Sequence, residues 1–397
     1  MQWARCKEVQ SDSRGIDGLG FGGVSGIRIA LVHHWLVTMR GGERVLESLA
    51  RLFPSADLFT LVCDRSILPP ALSRLRIRSS FLQSLPRSTR WYRYYLPLFP
   101  AATEKLDLRG YDLVISSDAA TVKGIRTDAD AMHICYCHTP MRCLWSGHRT
   151  YCQTSGAVSR LALSALRNRL CHWDYEAAQR VTQFVANSQT VRERIQNCYG
   201  RKSVVICPPV DTERFVPGPL RRPRDHYFLL VSQLVPYKRV DLVVEAFNKC
   251  GRPLVIIGDG PERARLERRA RKNIRFKGSQ PQSAVIDAMQ RCKAFVFAGE
   301  EDFGIVMAEA QACGTPVVAL GRGGATEIVE DNFTGVLFEE ESVDSLLAAL
   351  DRFGKISFDP NLIRASSLKF ARQRFLVEFS SLVKEMMSLE RNYRLGL

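Results

Sequence analysis

The sequence predicts an α/β protein with two domains, each built from parallel strands that alternate with helices. Apolar runs at residues 294–298 and 317–320 have the length of buried strands, and a helical apolar period begins at Ile305 between them. Gly314-Thr315-Pro316 ends that helix before the second run. A strand, a glycine loop and a helix also follow one another at residues 27–52, as in the first turn of a doubly wound sheet. At 397 residues the chain is long enough for two such domains.

Composition and net charge indicate a globular protein with an anionic partner. The chain is 46% hydrophobic and 24% charged, which is ordinary for a globular protein. The sequence contains no run of 18 apolar residues, the length needed to span a membrane. Residues 1–26 lack the apolar segment of a signal peptide, so we expect a disordered leader on a cytoplasmic protein whose twelve cysteines are reduced. The net charge of +15 predicts an anionic partner, such as a nucleotide, a lipid diphosphate, a membrane surface or a nucleic acid.

The order of strands and linker residues predicts the domain boundaries. Residues 27–207 form the first domain, and several prolines indicate a stiff linker at residues 208–226. Residues 227–360 form the second domain, and one helix at about 362–389 dominates the final segment, residues 361–397.

The loop after the first strand carries two adjacent glycines, Gly41 and Gly42, just before a helix. Without a side chain at these positions, the backbone can approach a phosphate closely. A plain tight turn is the alternative explanation for the pair.

Basic and aromatic residues are interleaved between Ser73 and Thr103, where the sequence has no acidic residue. This mixture suits a membrane interface, because the rings can enter the headgroup layer while the cations meet anionic lipid. A solvated basic face and a single-stranded nucleic-acid surface are the alternatives, and we expect no nucleic acid. The predicted acceptor or membrane residues are Arg87, Arg90, Trp91, Tyr92, Arg93 and Tyr94.

A histidine stands where another predicted strand ends. His138 precedes Thr139-Pro140, at the edge where an open parallel sheet presents catalytic side chains, although a structural histidine could also close this turn. Neighbouring histidines and cysteines suggest a metal site, but no paired knuckle of two cysteines is present, so we expect no metal. The residues of this group are His133, Cys135, Cys137, His138, Cys143, His148 and Cys152.

Loops of the second domain offer cations and further glycines. Lys238 and Arg239 follow the strand at residues 227–232, where they could neutralise a leaving diphosphate or simply be exposed solubilising charges. Gly258 and Gly278 each follow a strand. A glycine turn of this kind is a weak indicator by itself.

The stretch from Glu301 to Glu309 is the most informative part of the sequence. On a helix, eight positions correspond to about 12 Å of rise, whereas the carboxylates of a retaining hydrolase lie about 5 Å apart, so the two glutamates are not such a pair. Phe303, Gly304 and Ile305 mark a helix N-terminus whose free N–H groups suit an anionic diphosphate. Each carboxylate could accept hydrogen bonds from sugar hydroxyls. Alternatively, both glutamates are ordinary surface residues.

These motifs resemble those of retaining glycosyltransferases of glycosyltransferase family 4, which includes sucrose synthase and many bacterial mannosyltransferases. The two glutamates with Phe303, Gly304, Gly314 and Pro316 fall where that family has them. Residues 138–145 are similar to the His-Thr-Pro element of bacterial polysaccharide mannosyltransferases. The resemblance spans roughly residues 27–390, and it implies the GT-B fold, in which two Rossmann-like domains face a cleft.

The resemblance also implies roles for individual residues. His138 and Glu301 would contact the transferred sugar, Glu309 would hold the ribose, and Lys238 would stabilise the departing diphosphate. The glycine loop would face that diphosphate across the cleft, Gly258 would border the donor pocket, and Gly278 would lie where relatives hold the nucleotide base. The final helix would cross back onto the first domain.

One residue departs from the family pattern. The family usually has arginine where this chain has Gln233. The departure weakens the expected phosphate clamp unless Arg239 substitutes for the missing cation.

The predicted activity is transfer of a hexose, favoured as mannose from GDP-mannose, to a lipid-linked or oligosaccharide acceptor, with retention of configuration and without a metal or other cofactor. Peripheral contact with the inner face of the plasma membrane would accompany it. A GT-B sugar-nucleotide epimerase and a basic RNA-binding or scaffold protein that has lost catalysis are the two rival hypotheses.

Overall fold

The computed structural model describes residues 26–146, 157–219 and 224–395, and this part of the chain forms two parallel β-sheets flanked by helices. The predicted α/β class with two doubly wound sheets is confirmed. Residues 1–25 of the leader expected at residues 1–26, together with His148 and Cys152, lie outside the described residues.

The strands of the described residues are Ile29–His33 (β1), Asp57–Thr60 (β2), Arg76–Ser79 (β3), Leu113–Asp118 (β4), Met132–Cys137 (β5), Gln183–Ala186 (β6), Ser203–Val205 (β7), Phe228–Val231 (β8), Leu254–Ile257 (β9), Ile274–Phe276 (β10), Ala294–Phe297 (β11), Val317–Leu320 (β12) and Gly335–Phe338 (β13).

The α-helices of the same residues are Gly41–Leu52 (α1), Pro70–Ser73 (α2), Ser88–Trp91 (α3), Phe99–Glu104 (α4), Ala157–Gln179 (α5), Gln189–Tyr199 (α6), Val240–Cys250 (α7), Arg263–Arg269 (α8), Gln282–Arg291 (α9), Ile305–Ala312 (α10), Ala325–Ile328 (α11), Val343–Phe353 (α12), Pro360–Ser367 (α13) and Arg372–Leu395 (α14). Short 3₁₀ helices occur at Arg65–Ile67, Phe81–Ser84, Tyr92–Leu98, Val122–Gly124, Pro236–Lys238 and Leu368–Phe370.

Both sheets change direction of winding at their first strand. The first sheet has the order β3-β2-β1-β4-β5-β6-β7, and the second has the order β10-β9-β8-β11-β12-β13, with every pairing parallel. The switch points therefore lie between β1 and β4 and between β8 and β11. In open parallel sheets, ligands bind outside the carboxyl ends of the strands at such points.

Side chains of the central strands fill cores on both faces of each sheet. In the first sheet, Leu31 and Ile115 are buried on one face, while Val32 and Val114 are buried on the other. Strands that are buried on both faces appear in the sequence as continuous apolar runs, which is why these strands could be predicted.

The end of the chain differs from the single helix expected at residues 362–389. Helix α13 ends at Ser367, a 3₁₀ turn follows, and α14 begins at Arg372. The break has a physical cause, because the backbone here pairs with the segment between the domains. Val210 donates its N–H to Phe370 O at 2.8 Å, and Arg372 donates its N–H to Val210 O at 3.0 Å.

Helix α14 crosses back onto the first domain, as the resemblance implied. Phe375 and Phe379 are fully buried in that domain's core, where their rings stack with centroids 5.7 Å apart. Tyr136 of β5 meets the ring of Phe375 edge-on at 5.8 Å. The described part of the expected linker is likewise packed rather than free, since Phe215 is buried in the second domain's core.

Charged side chains join the two domains at the loop after β11. Asp302 of the second domain accepts from Arg142 of the first domain at 2.6 Å, and it also pairs with Arg194 of α6. Ser188 Oγ donates to the backbone oxygen of Asp302 at 2.6 Å. These contacts place the end of β5 and the start of α6 against the segment that carries Glu301.

A second contact lies at the N-terminus of α6. The carboxylate of Glu327, from the second domain, accepts the backbone N–H groups of Gln189 at 3.0 Å and Thr190 at 3.3 Å. N–H groups in the first turn have no acceptor within their own helix, and a carboxylate is favoured there by the helix dipole. The second domain thus caps a helix of the first.

Candidate functional site

A cavity of about 500 Å³ lies between the two domains, at the carboxyl ends of β8 and β11. The first domain contributes Arg40, Gly41 and Arg44 to the lining, and strands, loops and helices of the second domain contribute the other lining residues. Among the predicted site residues, Gly41, Lys238, Gly258, Glu301, Gly304, Ile305 and Glu309 line this cavity.

Glu301 and Lys238 form an ion pair inside the cavity. Both side chains are largely buried, at 18% and 16% exposure, and the Lys238 amine also lies 5.7 Å from the centre of the Phe297 ring. The loop after β11 and the 3₁₀ turn after β8 bring the two residues together. A phosphate entering here would compete with Glu301 for the lysine, whereas a sugar hydroxyl could share the carboxylate.

The N-terminus of α10 opens into the same cavity. Gly304 caps the helix with φ +93° and ψ 49°, a left-handed backbone conformation that residues other than glycine rarely adopt. A Cβ at this position would also collide with Met307. The predicted helix start is therefore confirmed, and its first N–H groups form a site of positive potential for an anion.

Glu309 lies one turn further along α10 and is 4% exposed. Its carboxylate pairs with Arg44, which reaches across from α1 of the first domain. Burial raises the pKa of Glu309 to about 7, and Arg44 opposes this shift by favouring the charged form. The carboxyl group therefore changes its charge near neutral pH.

His138 lies behind the glycine loop, outside the cavity lining. Its Nε2 shares a 2.8 Å hydrogen bond with Ser117 Oγ, which is also 3.1 Å from Nδ1 of His33. A Cβ on Gly42 would lie 3.5 Å from His138 Nε2, so the absence of a side chain lets the loop pass close to the imidazole. Burial lowers the pKa of His138 to about 3, with a further contribution from His34. The ring is a neutral hydrogen-bonding group at physiological pH.

Several predicted donor residues lie elsewhere. The guanidinium of Arg239 pairs with the carboxylates of Asp241 and Glu341 and does not line the cavity, so the geometry gives no support to its substituting for a missing phosphate cation. Phe303 is buried against the ring of Phe370, with centroids 5.2 Å apart.

Gly278 is also outside the lining, to which the following residues, Ser279 and Gln280, contribute instead. Gly278 has φ +66° and its carbonyl oxygen accepts the N–H of Gly258 at 2.8 Å, which joins the two turns at this end of the cavity.

Arg40 and Asp302 emerge as site residues only from the structure, whereas Arg44 belongs to the glycine-loop motif that the resemblance places opposite the diphosphate. Arg40 lines the cavity and donates to Gln233 Oε1 at 3.0 Å, and Arg44 holds Glu309. Asp302 joins the domains beside Glu301. The positions of Arg40 and Arg44 next to the glycine pair were the available sequence signal. The sequence does not show, however, that their side chains extend across the cleft to residues of the second domain.

The basic aromatic stretch forms an exposed surface on the first domain, with one exception. Arg87 lies over the ring of Trp91 at 4.8 Å, and Tyr94 is 75% exposed. Tyr92, expected on this surface, is instead 7% exposed because its ring packs against Trp35 with centroids 4.9 Å apart. Trp35 in turn contacts His34, so the surface is joined by packed rings to the histidines beside His138.

Within the described ranges, no group of three or more histidine, cysteine, aspartate or glutamate side chains is arranged to hold a metal ion. None of the helices in those ranges is both long and apolar enough to cross a membrane.

Two family models match adjacent parts of the chain. The model for Glycosyltransferase Family 4 matches residues 39–214, and the model for glycosyl transferases group 1 matches residues 211–361. Together they span both domains and the cavity.

Among curated proteins, the chain is 31% identical over 222 residues to the GDP-mannose-dependent alpha-(1-6)-phosphatidylinositol monomannoside mannosyltransferase of Mycolicibacterium smegmatis, covering 48% of this chain and 56% of that protein. It is 30% identical over 167 residues to the D-inositol 3-phosphate glycosyltransferase of Mycobacterium marinum, covering 37% of this chain and 36% of that protein. The chain thus spans about half the length, or less, of these curated relatives.

Solved structures agree on the fold. HepE of Anabaena in complex with UDP and glucose superimposes with a TM-score of 0.67 at 17% identity, covering 90% of this chain and 99% of that one. The lipopolysaccharide outer core galactosyltransferase WaaB gives a TM-score of 0.62 at 16% identity, covering 91% and 100%. The two family models, together with this fold, show that the chain belongs to the GT-B glycosyltransferases of the family 4 type.

Proposed function

We propose that this protein is a retaining hexosyltransferase that uses a nucleotide-diphosphate sugar, with GDP-mannose as the favoured donor, and a lipid-linked or oligosaccharide acceptor. The observation that carries the proposal is the ion pair of Lys238 and Glu301 beside the open N-terminus of α10, inside a cavity between the domains. The diphosphate of such a donor would bind to the cation and the free N–H groups, and its sugar hydroxyls would donate to the carboxylate.

The donor would bind with its diphosphate at the helix N-terminus near Gly304. Lys238 would then leave Glu301 for the phosphate, and the freed carboxylate would accept hydrogen bonds from the sugar. Glu309 would accept the ribose hydroxyls. The neutral ring of His138 would approach the sugar from the first domain, past Gly42.

Transfer would proceed by front-face displacement, since the proposal assigns no side chain as a covalent nucleophile. The bond between the anomeric carbon and the diphosphate oxygen breaks, and its electron pair stays on the diphosphate. The acceptor hydroxyl oxygen bonds to the anomeric carbon from the same face, and its proton passes to a diphosphate oxygen. Lys238 and the helix N-terminus stabilise the developing negative charge without a metal.

The favoured donor is supported by the name of one relative, a GDP-mannose-dependent mannosyltransferase. The structure of HepE with UDP and glucose is a reason to test uridine donors in parallel. The acceptor class is supported by the basic aromatic surface described above.

Nucleotide release should be measured with GDP-mannose and UDP-glucose, each with and without a polyprenyl-diphosphate-linked hexose. We expect acceptor-dependent release with GDP-mannose. Glu301→Ala and His138→Ala should each lower turnover by about a hundredfold or more, because a positioned hydrogen-bond partner in a closed site contributes several kcal/mol to the transition state.

Matched controls come from Glu176→Ala and His226→Ala, which remove the same residue types at exposed positions outside the cavity lining. Undiminished turnover in either site variant would remove that residue from the mechanism. Conversion of the donor without an acceptor would favour the epimerase, and absence of any turnover would favour a non-catalytic scaffold.

Donor affinity should depend on pH through Glu309. Because burial raises the pKa of this carboxyl to about 7, it is mostly protonated at pH 6 and mostly ionised at pH 8. If only the ionised form accepts the ribose hydroxyls, the Kd for GDP-mannose should be up to about tenfold higher at pH 6 than at pH 8. Titration calorimetry at both values would measure it.

Glu309→Gln keeps the size of the side chain and removes its titration. This variant should bind GDP-mannose with nearly the same Kd at both pH values. An equal pH dependence in wild type and variant would assign the effect to another group and would contradict the requirement for an ionised Glu309 in ribose binding.

We also propose that the basic aromatic surface contacts an anionic membrane, which would place the protein at the cytoplasmic face. Arg87, Arg90 and Arg93 are exposed beside Trp91 and Tyr94, and each cation near an anionic surface contributes roughly 1 kcal/mol. Ring contacts through Trp35 connect this surface to the histidines beside His138. A lipid-anchored acceptor would therefore be delivered close to the site.

Binding to vesicles of phosphatidylcholine containing phosphatidylglycerol should fall at least about tenfold when Arg87, Arg90 and Arg93 are all changed to glutamate. Sedimentation with the vesicles measures the bound fraction.

The matched control changes Arg265, Arg268 and Arg269 of α8 to glutamate, which alters the net charge equally on the second domain. An equal loss in both triple variants would mean that net charge, rather than this surface, governs binding.

A further inference from the structure

The cations of the cavity lining do not all pair with a carboxylate of that lining. Three cations belong to its described lining, and two of them have carboxylate partners there: Lys238 pairs with Glu301, and Arg44 pairs with Glu309. The third, Arg40, directs its guanidinium to the side-chain oxygen of Gln233, at 3.0 Å. An amide oxygen can hold a guanidinium in place without cancelling its charge.

The location of Arg40 places this charge beside the anion-binding end of α10. Its neighbour Gly41 packs so closely against the second domain that a Cβ there would lie 3.4 Å from Ile305, the first residue of the helix. Gln233, to which the side chain reaches, belongs to the loop after β8. Arg40 therefore spans the gap between the two loops that enclose the helix N-terminus.

We propose that Arg40 is a ligand of the donor's diphosphate, supplied by the first domain, and that Gln233 positions it. This inference rests on the function proposed above and adds the source of the second phosphate cation. Arg239 is directed to Asp241 and Glu341 and does not meet this need.

Two consequences follow from the origin of Arg40 in the first domain. The phosphate site is complete only when the domains are closed, so nucleotide binding and closure are coupled. The contribution of Arg40 to diphosphate affinity depends on its charge. When Arg40 is removed, a cation placed at residue 233 of the second domain should restore this affinity, although the hydrogen bond between the domains is lost.

The test is titration calorimetry of the full chain with GDP, and in parallel with UDP, guanosine and uridine. For whichever diphosphate binds more tightly, Arg40→Ala should raise the Kd at least tenfold, which corresponds to about 1.4 kcal/mol at 25 °C. The Kd for the matching nucleoside should change less than twofold, because it carries no phosphate.

Arg51→Ala is the matched control. It removes one arginine from the opposite end of α1, where the side chain pairs with Glu47 outside the cavity lining, and it should leave the affinity for the diphosphate unchanged. Because Arg40 is exposed, its replacement should not impair folding, and Arg40→Lys, which retains the charge, should fall between wild type and Arg40→Ala.

The double variant Arg40→Ala with Gln233→Arg separates charge from domain contact. Recovery of most of the lost affinity supports a phosphate ligand. If no affinity returns, Arg40 acts only through its contact with Gln233, and the inference is overturned.

Two further outcomes contradict the inference in distinguishable ways. Equal affinities of wild type and Arg40→Ala for the diphosphate would overturn the role of Arg40 alone and leave the proposed function intact. Failure of the wild-type protein to bind either diphosphate would overturn both.

Discussion

The position of the candidate site depends on the ionic contact that Asp302 makes across the cleft. Arg142 and Arg194 of the first domain hold this carboxylate, and Ser188 holds its backbone oxygen. Asp302 stands between Glu301, which pairs with Lys238, and Gly304, which opens the helix N-terminus. Contacts that fix Asp302 therefore also fix the two features on which donor binding is proposed to depend.

The proposed site draws on both domains that this contact joins. The second domain supplies a helix N-terminus, Lys238 and two carboxylates, whereas the first supplies the glycine loop, Arg40, Arg44 and the neutral His138. The side chain of Asp302 is 15% exposed and that of Arg142 is 25% exposed. Partly exposed ion pairs are weaker than fully buried ones because water competes for them, and under the proposed function such a contact would open to exchange nucleotides.

The sequence was sufficient to predict site residues whose positions are set within one short stretch. It was not sufficient to predict contacts between residues that are far apart in the sequence. Glu301, Gly304 and Glu309 were predicted because strand, loop and helix signals lie within one short stretch. Arg239 was expected at the phosphate because of its place in the loop, but it pairs with Asp241, two residues further on, and with Glu341, which is distant in the sequence. The break before Arg372 was missed because its cause, pairing with Val210, involves residues far apart in the sequence.

Small-angle scattering of the nucleotide-free chain would test most directly whether Asp302 holds the domains together. Asp302→Ala should have a larger radius of gyration than wild type, and saturating GDP should reduce the difference. Asp344→Ala is the control, since its side chain is 89% exposed and pairs only with a surface lysine in the described residues. If Asp302→Ala scatters like wild type, the ionic contact does not govern closure and the account of an assembled site is wrong.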